Sequence, residues 1–341
     1  MKLRLAQLQM SDQAPDIYVV GNQDYPTMLF RDQFEALDEH IKLDAPEWNG
    51  VKEAIGKYKY NGKHYILNSG NRVSRMIWWN SNIFNEMGCK DTPESLMQKG
   101  KWDWDTMQRL AEETTDIKNG IYGFGYMYSL SWAYQASAGE NLVTMTGDGV
   151  INNTDSPNIA KAMDAFSKIS TNKILYQNDS NPQQAFANGK IAMYFDTCEM
   201  GGADNIRAQV NNGTIKLAHF PKMPGAESYV YSGEFNGYAI PKGAKNIDCA
   251  VAFLAMTRAQ AAYQDEVKNK YYSDCGFNEY DKKIYEEANK CEFVDNVALG
   301  LSDVLEVCKP IEVELKLGAP WSTVKNKCKP KIQAALDSIG S

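Results

Sequence analysis

The sequence has few histidines, no excess of basic residues and no long apolar run, and each absence narrows its function. The three histidines, His40, His64 and His219, lack the spacing of metal ligands. The formal net charge of -7 disfavours nucleic-acid binding, because phosphate contacts need a basic surface. No apolar run approaches the roughly 20 residues that cross a membrane. We therefore predict no metal site, no nucleic-acid partner and no membrane-spanning helix.

Sequence motifs of common enzymes are also missing. The chain has no Gly-x-Ser-x-Gly elbow, no His-Glu-x-x-His pair and no Gly-x-x-x-x-Gly-Lys phosphate loop. The glycines of 120–125 have the wrong spacing for a dinucleotide-binding fingerprint, so no cofactor is predicted. Aspartate and glutamate are abundant. A glycoside hydrolase with paired carboxylates therefore stays an open alternative that spacing neither supports nor excludes.

Seven cysteines are present, and none forms a Cys-x-x-Cys pair, which argues against a zinc or thioredoxin-like site. Because seven is an odd number, at least one thiol is unpaired within a monomer. Most of these cysteines are expected to pack as small buried hydrophobic side chains. A disulfide within 275–328 stays open and unassigned.

A helix, a glycine and a buried strand are predicted to follow one another at residues 186–196. Gly189 can take the left-handed conformation that ends a helix. Residues 191–195 form an almost unbroken apolar run, which is typical of a strand covered on both faces. Asp196 follows at the carboxyl end, where ligands bind in open α/β sheets. This pattern predicts a binding site that includes Asp196 and the nearby Glu199.

Apolar strands alternate with amphipathic helices over most of the 341 residues. Residues 75–80 read as a strand, Asp103 or Asp105 can cap one helix, and Ser156-Pro157 begins another. Pro330 is expected to kink or divide the last helix. The alternation predicts an α/β fold with parallel-dominated sheets, and the length suits two lobes. No low-complexity linker is present, which favours lobes joined by strands that cross between them.

Five segments carry a resemblance to a known family, in the same order along the chain: Ala14-Pro15-Asp16-Ile17, Gly62-Lys63-His64-Tyr65, Gly100-Lys101-Trp102-Asp103-Trp104-Asp105, Ala185 to Asp196, and Gly237 to Asn246. Through them the chain resembles the extracellular solute-binding proteins (family 1) of ATP-driven importers, the group that includes maltose-binding proteins. The resemblance implies a two-lobe periplasmic-binding-protein fold of type II, with helices flanking two sheets and a hinge between the lobes. We expect one lobe to comprise 1–120 and 243–295, and the other 121–242 and 296–341.

The resemblance also implies a function. Such a protein captures a sugar or oligosaccharide in the cleft between its lobes and delivers it to the membrane permease of an ABC transporter, without catalysis. It works as a monomer at the extracellular face of the membrane or in the periplasm, in many cases as a lipoprotein. A sugar, of a kind the sequence does not specify, and a permease are therefore the expected partners.

The start of the chain departs from that family. Its members begin with a signal sequence, often with a lipidated cysteine, and then form a strand, a helix and a second strand. Met1 to Arg4 leads instead into a charged segment without the apolar core of a signal peptide. We therefore expect the chain to lack the first piece of its amino-terminal lobe, and any lipid anchor to lie outside it. A truncated remnant that binds nothing is the third alternative.

The candidate ligand-binding residues are aromatic or planar polar side chains at positions that face the cleft in the resembled family: Asp24, Tyr25, Asn71, Arg72, Tyr128, Trp132, Asp196, Glu199, Glu234 and Trp321. Ligand pockets combine aromatic walls with a few convergent polar groups. Trp132 is expected to stack on a sugar ring, with a core position as its alternative. Trp321 has helix packing as its alternative, and Arg72 a simple surface charge. Glu199 stands where family members often carry an aromatic platform, and is expected to offer hydrogen bonds instead.

Overall fold

The computed structural model describes residues 2–48, 59–68, 72–177, 181–234, 236–258 and 261–339. Its strands are β1 (Tyr18–Gly21), β2 (Lys59–Tyr60), β3 (Lys63–His64), β4 (Leu67–Asn68), β5 (Arg72–Val73), β6 (Arg75–Asn80), β7 (Tyr122–Tyr126), β8 (Val143–Met145), β9 (Val150–Asn152), β10 (Ile191–Thr197), β11 (Ile215–Ala218), β12 (Val230–Glu234), β13 (Asn236–Ala239) and β14 (Glu292–Asp295).

The α-helices are α1 (Lys2–Met10), α2 (Thr27–Phe30), α3 (Ser81–Glu86), α4 (Pro93–Gln98), α5 (Trp104–Glu113), α6 (Leu130–Ser137), α7 (Pro157–Thr171), α8 (Pro182–Ala187), α9 (Arg207–Asn211), α10 (Ile247–Arg258), α11 (Ala261–Asp274), α12 (Glu279–Ala288), α13 (Ser302–Lys316) and α14 (Trp321–Asp337). Short 3₁₀ helices lie at Leu37–Glu39, Pro46–Trp48, Ile117–Asn119, Cys198–Gly202 and Val297–Gly300.

Local sequence signals predicted several helix ends. The Ser156 hydroxyl accepts a hydrogen bond from the backbone N–H of Asn158 at 3.2 Å, and Pro157 opens α7. Asp103, rather than Asp105, caps α5. Gly189 adopts a left-handed φ of 70° between α8 and β10, as expected. Of the two outcomes predicted for Pro330, division of the helix is wrong, because α14 continues through that residue, and a kink stays a prediction.

The strands form three sheets and two hairpins. The sheet orders are β1-β13-β4, β11-β6-β10-β7 and β14-β12-β5, and the hairpins are β2-β3 and β8-β9. The prediction of parallel-dominated sheets is wrong for the described strands. The pairs β10-β7 and β12-β14 are parallel, and the other named pairs are antiparallel. One cause is the segment 72–80, which leaves one sheet as β5 and enters the next as β6, opposite in direction to β10.

Strand β10 is the centre of the main core. Each of its apolar residues 191–195 is at most 2% exposed, which confirms a strand covered on both faces. Met193 lies opposite Trp79 of β6 on one side and Phe124 of β7 on the other. Burial of these apolar side chains stabilises the sheet and holds the carboxyl end of β10 in a fixed position. Across the described residues, no helix combines the length and the apolar character of a membrane span.

The buried apolar residues form one large cluster and two small ones. The large cluster takes residues from 73–231 and from 272–336. The small clusters take residues from 5–67 and from 239–254. These clusters do not follow the predicted lobe ranges. Strand β6 lies in the range predicted for the first lobe, yet it shares a sheet with β7 and β10, which lie in the range predicted for the second. The position of the lobe boundary stays a proposal. Strands β4 and β13 share one sheet, whereas β5 and β12 share another.

Candidate functional site

A cavity of about 110 Å³, open to solvent, lies between β6, β10, β12 and the start of α6. We call it the Trp132 cavity. Aromatic side chains and small polar groups face each other across it. Its lining residues are Asn22, Ser74, Arg75, Ser129, Trp132, Ala133, Phe195, Phe220, Val230, Tyr231, Ser232, Gly233 and Leu299.

The strands bring this lining together from distant parts of the chain. Antiparallel pairing of β6 with β10 sets Arg75 opposite Thr197, at the edge where Phe195 meets the cavity. Helix α6 follows Ser129, which has a left-handed φ of 65°, and presents the half-buried indole of Trp132. Aromatic wall and strand ends therefore meet at one edge of the four-stranded sheet.

Tyr231 is fixed from behind by His219. The His219 Nδ1 and the Tyr231 hydroxyl are 2.5 Å apart, and the His219 ring stacks on Tyr229 with centroids 4.2 Å apart. Burial lowers the pKa of His219 to about 4, so its imidazole is neutral near pH 7. The neutral His219 imidazole therefore holds the Tyr231 ring at the cavity through a hydrogen bond and adds no charge there.

Asp196 lies beside the cavity rather than in its lining. Successive side chains of a strand point to opposite faces, so Asp196 and Phe195 of β10 face opposite sides of the sheet. Its Oδ1 accepts a hydrogen bond from the backbone N–H of Thr197 at 2.7 Å. Burial raises the pKa of Asp196, and the charge of Arg75 partly offsets this rise. The role of Asp196 in ligand binding stays a prediction.

Arg72 and Glu199 lie together, as members of a surface cluster with Tyr271. The Arg72 guanidinium is 5.1 Å from the centre of the Tyr271 ring, and its Nη2 is 4.0 Å from Glu199 Oε1. The Tyr271 hydroxyl donates to the same Glu199 oxygen at 2.9 Å. Neither Arg72 nor Glu199 lines the Trp132 cavity. The position of Arg72 fits its surface-charge alternative, and ligand binding by either residue stays a prediction.

The segment after β1 reaches two cavities. Asn22 lines the Trp132 cavity, and Asp24 accepts a hydrogen bond from the backbone N–H of Gly21 at 3.3 Å, closing the turn between them. Tyr25 is buried, and both its burial and the charge of Asp295 raise its pKa. It lines a second, open cavity of about 560 Å³, which we call the Glu140 cavity. The lining residues of this cavity are Tyr25, Gly139, Glu140, Thr144, Met145, Ile151, Asn153, Ser156, Pro157, Phe293, Val294, Asp295 and Val297.

The remaining predicted residues lie elsewhere. Trp321 begins α14 in the main core and is 4% exposed, which fits helix packing. Tyr128 is 64% exposed and lines neither cavity. Glu234 ends β12, where its backbone pairs with Arg72, and its side chain lies outside the described atoms. Asn71 lies outside the described residues.

Sequence reasoning missed several lining residues, above all Arg75, Phe195 and Phe220. Phe195 and Phe220 belong to apolar stretches and read as core. Arg75 stands at the start of the apolar run of β6, where a charged residue reads as a flank. The available signal was the position of Arg75 at the start of the buried strand β6. A charged residue at such a position lies at the edge of a sheet, where ligands can reach it.

Comparisons with known proteins agree with this fold. The family model described as bacterial extracellular solute-binding protein matches residues 2–275. The sugar-binding protein MalE of Xanthomonas citri has a TM-score of 0.73 at 12% identity, covering 99% of this chain and 87% of that chain. The galacto-N-biose-/lacto-N-biose I-binding protein of Bifidobacterium longum has a TM-score of 0.72 at 15% identity, covering 100% and 86%. A comparison with curated protein sequences gives no match.

A third solved structure is the extracellular solute-binding protein of Staphylococcus aureus in complex with maltose. Its TM-score is 0.71 at 13% identity, covering 100% of this chain and 89% of that chain. Likeness at such low identity shows the fold, which is the two-lobe, type II periplasmic-binding-protein fold that the sequence predicts. Since the family model also matches most of the sequence, the chain belongs to the bacterial extracellular solute-binding proteins.

Proposed function

We propose that this protein binds a sugar or oligosaccharide in the cleft between its lobes and delivers it to the permease of an ABC importer. The observation that carries the proposal is the Trp132 cavity, whose lining combines the half-buried Trp132 with Asn22 and three serines. Sugar-binding relatives support it: the B. longum protein is a complex with lacto-N-biose, and a Listeria monocytogenes ABC substrate-binding protein holds cycloalternan.

The chemistry of the lining suits a carbohydrate. One face of a sugar ring is made of C–H groups and packs on an aromatic surface, whereas its hydroxyls need hydrogen-bond partners when they leave water. Trp132, Phe195 and Phe220 supply aromatic surface, while Ser129 and Ser232 supply hydroxyls. Hydroxyl groups both donate and accept, which matches the hydroxyls of a sugar.

The proposed protein acts outside the cell membrane, as a monomer and in lipid-anchored form, and it returns its ligand chemically unchanged. A glycoside hydrolase would need two carboxylates on either side of the bond to be cleaved. The described lining of the Trp132 cavity includes no Asp or Glu. Glu140 and Asp295 both line the Glu140 cavity, so incubation with the bound sugar tests this alternative. Release of shortened sugars would show that the protein is an enzyme and would contradict our proposal.

Replacing Trp132 with alanine is expected to weaken sugar binding at least tenfold, about 1.4 kcal/mol, because a large aromatic surface is lost from the cavity. A thermal-melt panel of mono- and oligosaccharides first identifies a ligand, since binding to the folded state raises its stability. Isothermal titration then compares the wild type with Trp132→Ala. Trp132→Phe keeps an aromatic ring and is expected to lose less affinity.

Asp24→Ala provides a second variant in the same titration, because the Asp24 carboxylate closes the turn that carries Asn22 to the cavity. We expect weaker binding without loss of the folded state. Wild-type affinity in both Trp132→Ala and Asp24→Ala, with normal melts, would show that the ligand binds elsewhere. Absence of any melting shift with carbohydrates would contradict sugar binding itself.

A further inference from the structure

The Trp132 cavity contains a cationic side chain, Arg75, and no carboxylate among its described lining residues. From this imbalance we infer that the cavity binds a carbohydrate that carries an oxyanion, either a carboxylate or a phosphate, with Arg75 as the counter-ion. The inference rests on the proposed function and narrows its ligand class. Asn22, Ser74, Ser129 and Ser232 complete the polar part of the site.

Arg75 differs from Arg109 and Arg207 in its contacts. Arg109 pairs with Asp91 at 3.0 Å and with Glu113 at 2.7 Å. Arg207 donates to three backbone carbonyls, at 3.1–3.2 Å. Arg75 is half-buried, and its guanidinium makes neither a hydrogen bond nor an ion pair within 4.0 Å in the described part of the chain. Its donors therefore remain available to a ligand.

Asp196 is the acidic neighbour that has to be considered. Burial raises the pKa of Asp196 and the charge of Arg75 partly offsets this rise, so the field of the guanidinium reaches the carboxyl group. The two side chains nevertheless form no ion pair, and Asp196 faces the opposite side of β10 from Phe195. The Asp196 carboxyl group accepts a hydrogen bond from the backbone N–H of Thr197. It does not compete with a ligand for the guanidinium of Arg75.

The guanidinium group selects for an oxyanion. Its planar fork matches the two oxygens of a carboxylate or a phosphate, and such charge-assisted pairs are stronger than neutral hydrogen bonds. A neutral sugar that displaced water from Arg75 would leave a desolvated cation without a counter-ion, which is costly. A uronic acid or a sugar phosphate supplies the counter-ion and still offers a ring face to Trp132.

The Glu140 cavity gives the opposite charge pattern. Glu140 and Asp295 line it, and within the described residues no lysine or arginine does. Carboxylates would repel an oxyanion and suit the hydroxyls of a neutral sugar instead. The charge pattern therefore assigns an anionic group to the Trp132 cavity rather than to the Glu140 cavity.

The test is isothermal titration of the intact chain with matched pairs of probes. One arm uses hexuronate disaccharides of the gluco, galacto and manno series against their methyl esters, which remove the charge and add one methyl group. A second arm uses hexose 6-phosphates against the free hexoses, and it distinguishes phosphate from carboxylate as the source of the oxyanion. A third arm uses neutral disaccharides such as maltose and lacto-N-biose.

We expect one anionic probe to bind at least tenfold more tightly than its neutral partner, and rising salt to reduce the difference. Arg75→Gln should raise the dissociation constant of that probe by about 10- to 100-fold and leave the neutral partner within about threefold. Arg75→Lys keeps the charge and loses the fork, so it should fall between wild type and Arg75→Gln. A melt of each variant confirms that it folds.

The other outcomes are equally informative. Equal or tighter binding of neutral disaccharides would overturn the inference and leave sugar binding in place. The same holds if Glu140→Gln, rather than Arg75→Gln, removes binding of the anionic probe, because the site would then be the Glu140 cavity. Failure of every carbohydrate in all three arms would overturn the inference and the proposed function together.

Discussion

Gly300→Ala is expected to lower the free energy of unfolding by about 2–3 kcal/mol, because the new methyl group has no room. A Cβ at Gly300 would lie 1.5 Å from the backbone carbonyl oxygen of Tyr25 and 2.8 Å from Pro26 Cδ. The Thr27 hydroxyl also donates a hydrogen bond to the Gly300 carbonyl. Backbone atoms cannot rotate away as a side chain can, so the two segments have to separate.

This contact joins different cores. Tyr25 belongs to a small cluster with Leu5 and Ala239, whereas Val297 and Leu301, on either side of Gly300, belong to the large cluster. Separation at Gly300 would therefore expose the buried Tyr25 ring and loosen the amino-terminal part of the chain from the rest. We expect the loss of stability to be accompanied by greater accessibility of Tyr25.

Urea unfolding followed by circular dichroism measures the Gly300→Ala effect, with Gly149→Ala as the matched control. A methyl group at Gly149 would meet no heavy atom within 4 Å, and Gly149 has no left-handed φ, so its replacement should change stability by less than about 0.5 kcal/mol. Equal midpoints for Gly300→Ala and Gly149→Ala would show that the segments of Tyr25 and Gly300 are not tightly packed in solution.

Asp281→Ala is expected to cost about 2–3 kcal/mol near pH 5, because Asp281 is buried and connects α12 to β11. Its Oδ1 accepts a hydrogen bond from the backbone N–H of Leu217 at 2.9 Å. Its side chain also completes the capping box of α12 with Asn278. Truncation leaves the Leu217 N–H buried without that acceptor and removes part of the cap.

The cost of Asp281→Ala should also depend on pH. Burial raises the pKa of Asp281 from 3.8 to about 7, while backbone N–H groups and Lys216 act against the rise. Between about pH 4 and pH 7 the folded state therefore binds more protons than the unfolded state. Stabilisation linked to this proton is full below pH 4, falls as pH rises through 7, and then levels off.

Urea unfolding curves at pH 5, 6, 7 and 8 test this linkage when the free energy of unfolding of each variant is subtracted from that of the wild type. The difference between wild type and Asp281→Ala should shrink as the pH rises. Asp281→Asn keeps a carbonyl acceptor but cannot titrate, so its own stability should lack the Asp281 contribution to the pH slope. Parallel curves for wild type and Asp281→Asn would mean that Asp281 is ionised throughout this range.

Predictions based on neighbouring residues in the sequence were the most successful. Ser156-Pro157, the Asp103 cap and Gly189 acted where expected, because caps, prolines and left-handed glycines depend on a few adjacent residues. The buried strand 191–195 followed from its unbroken apolar run. Strand direction did not, since the return of the chain through 72–80 is not encoded in apolar periodicity.

Site prediction was less complete than fold prediction. Of the aromatic candidates, Trp132 reaches the Trp132 cavity and Trp321 lies in the core, although both are tryptophans in the first turn of a helix. Whether a helix face is exposed depends on which element packs against it. The residue type alone therefore does not show which of the two tryptophans is buried. Arg72 and Arg75 are three positions apart, and only Arg75 lines the Trp132 cavity.

The sequence by itself determined the fold class, the family and the positions of many elements, because apolar periodicity and capping act over short distances. The tertiary structure decided which side chains share a cavity. Arg75 meets the carboxyl end of β10 through a strand register that joins positions 122 residues apart, Arg75 and Thr197. Trp132 faces them because α6 packs beside β12. Such convergence depends on long-range pairing and packing, so it leaves no local pattern in the sequence.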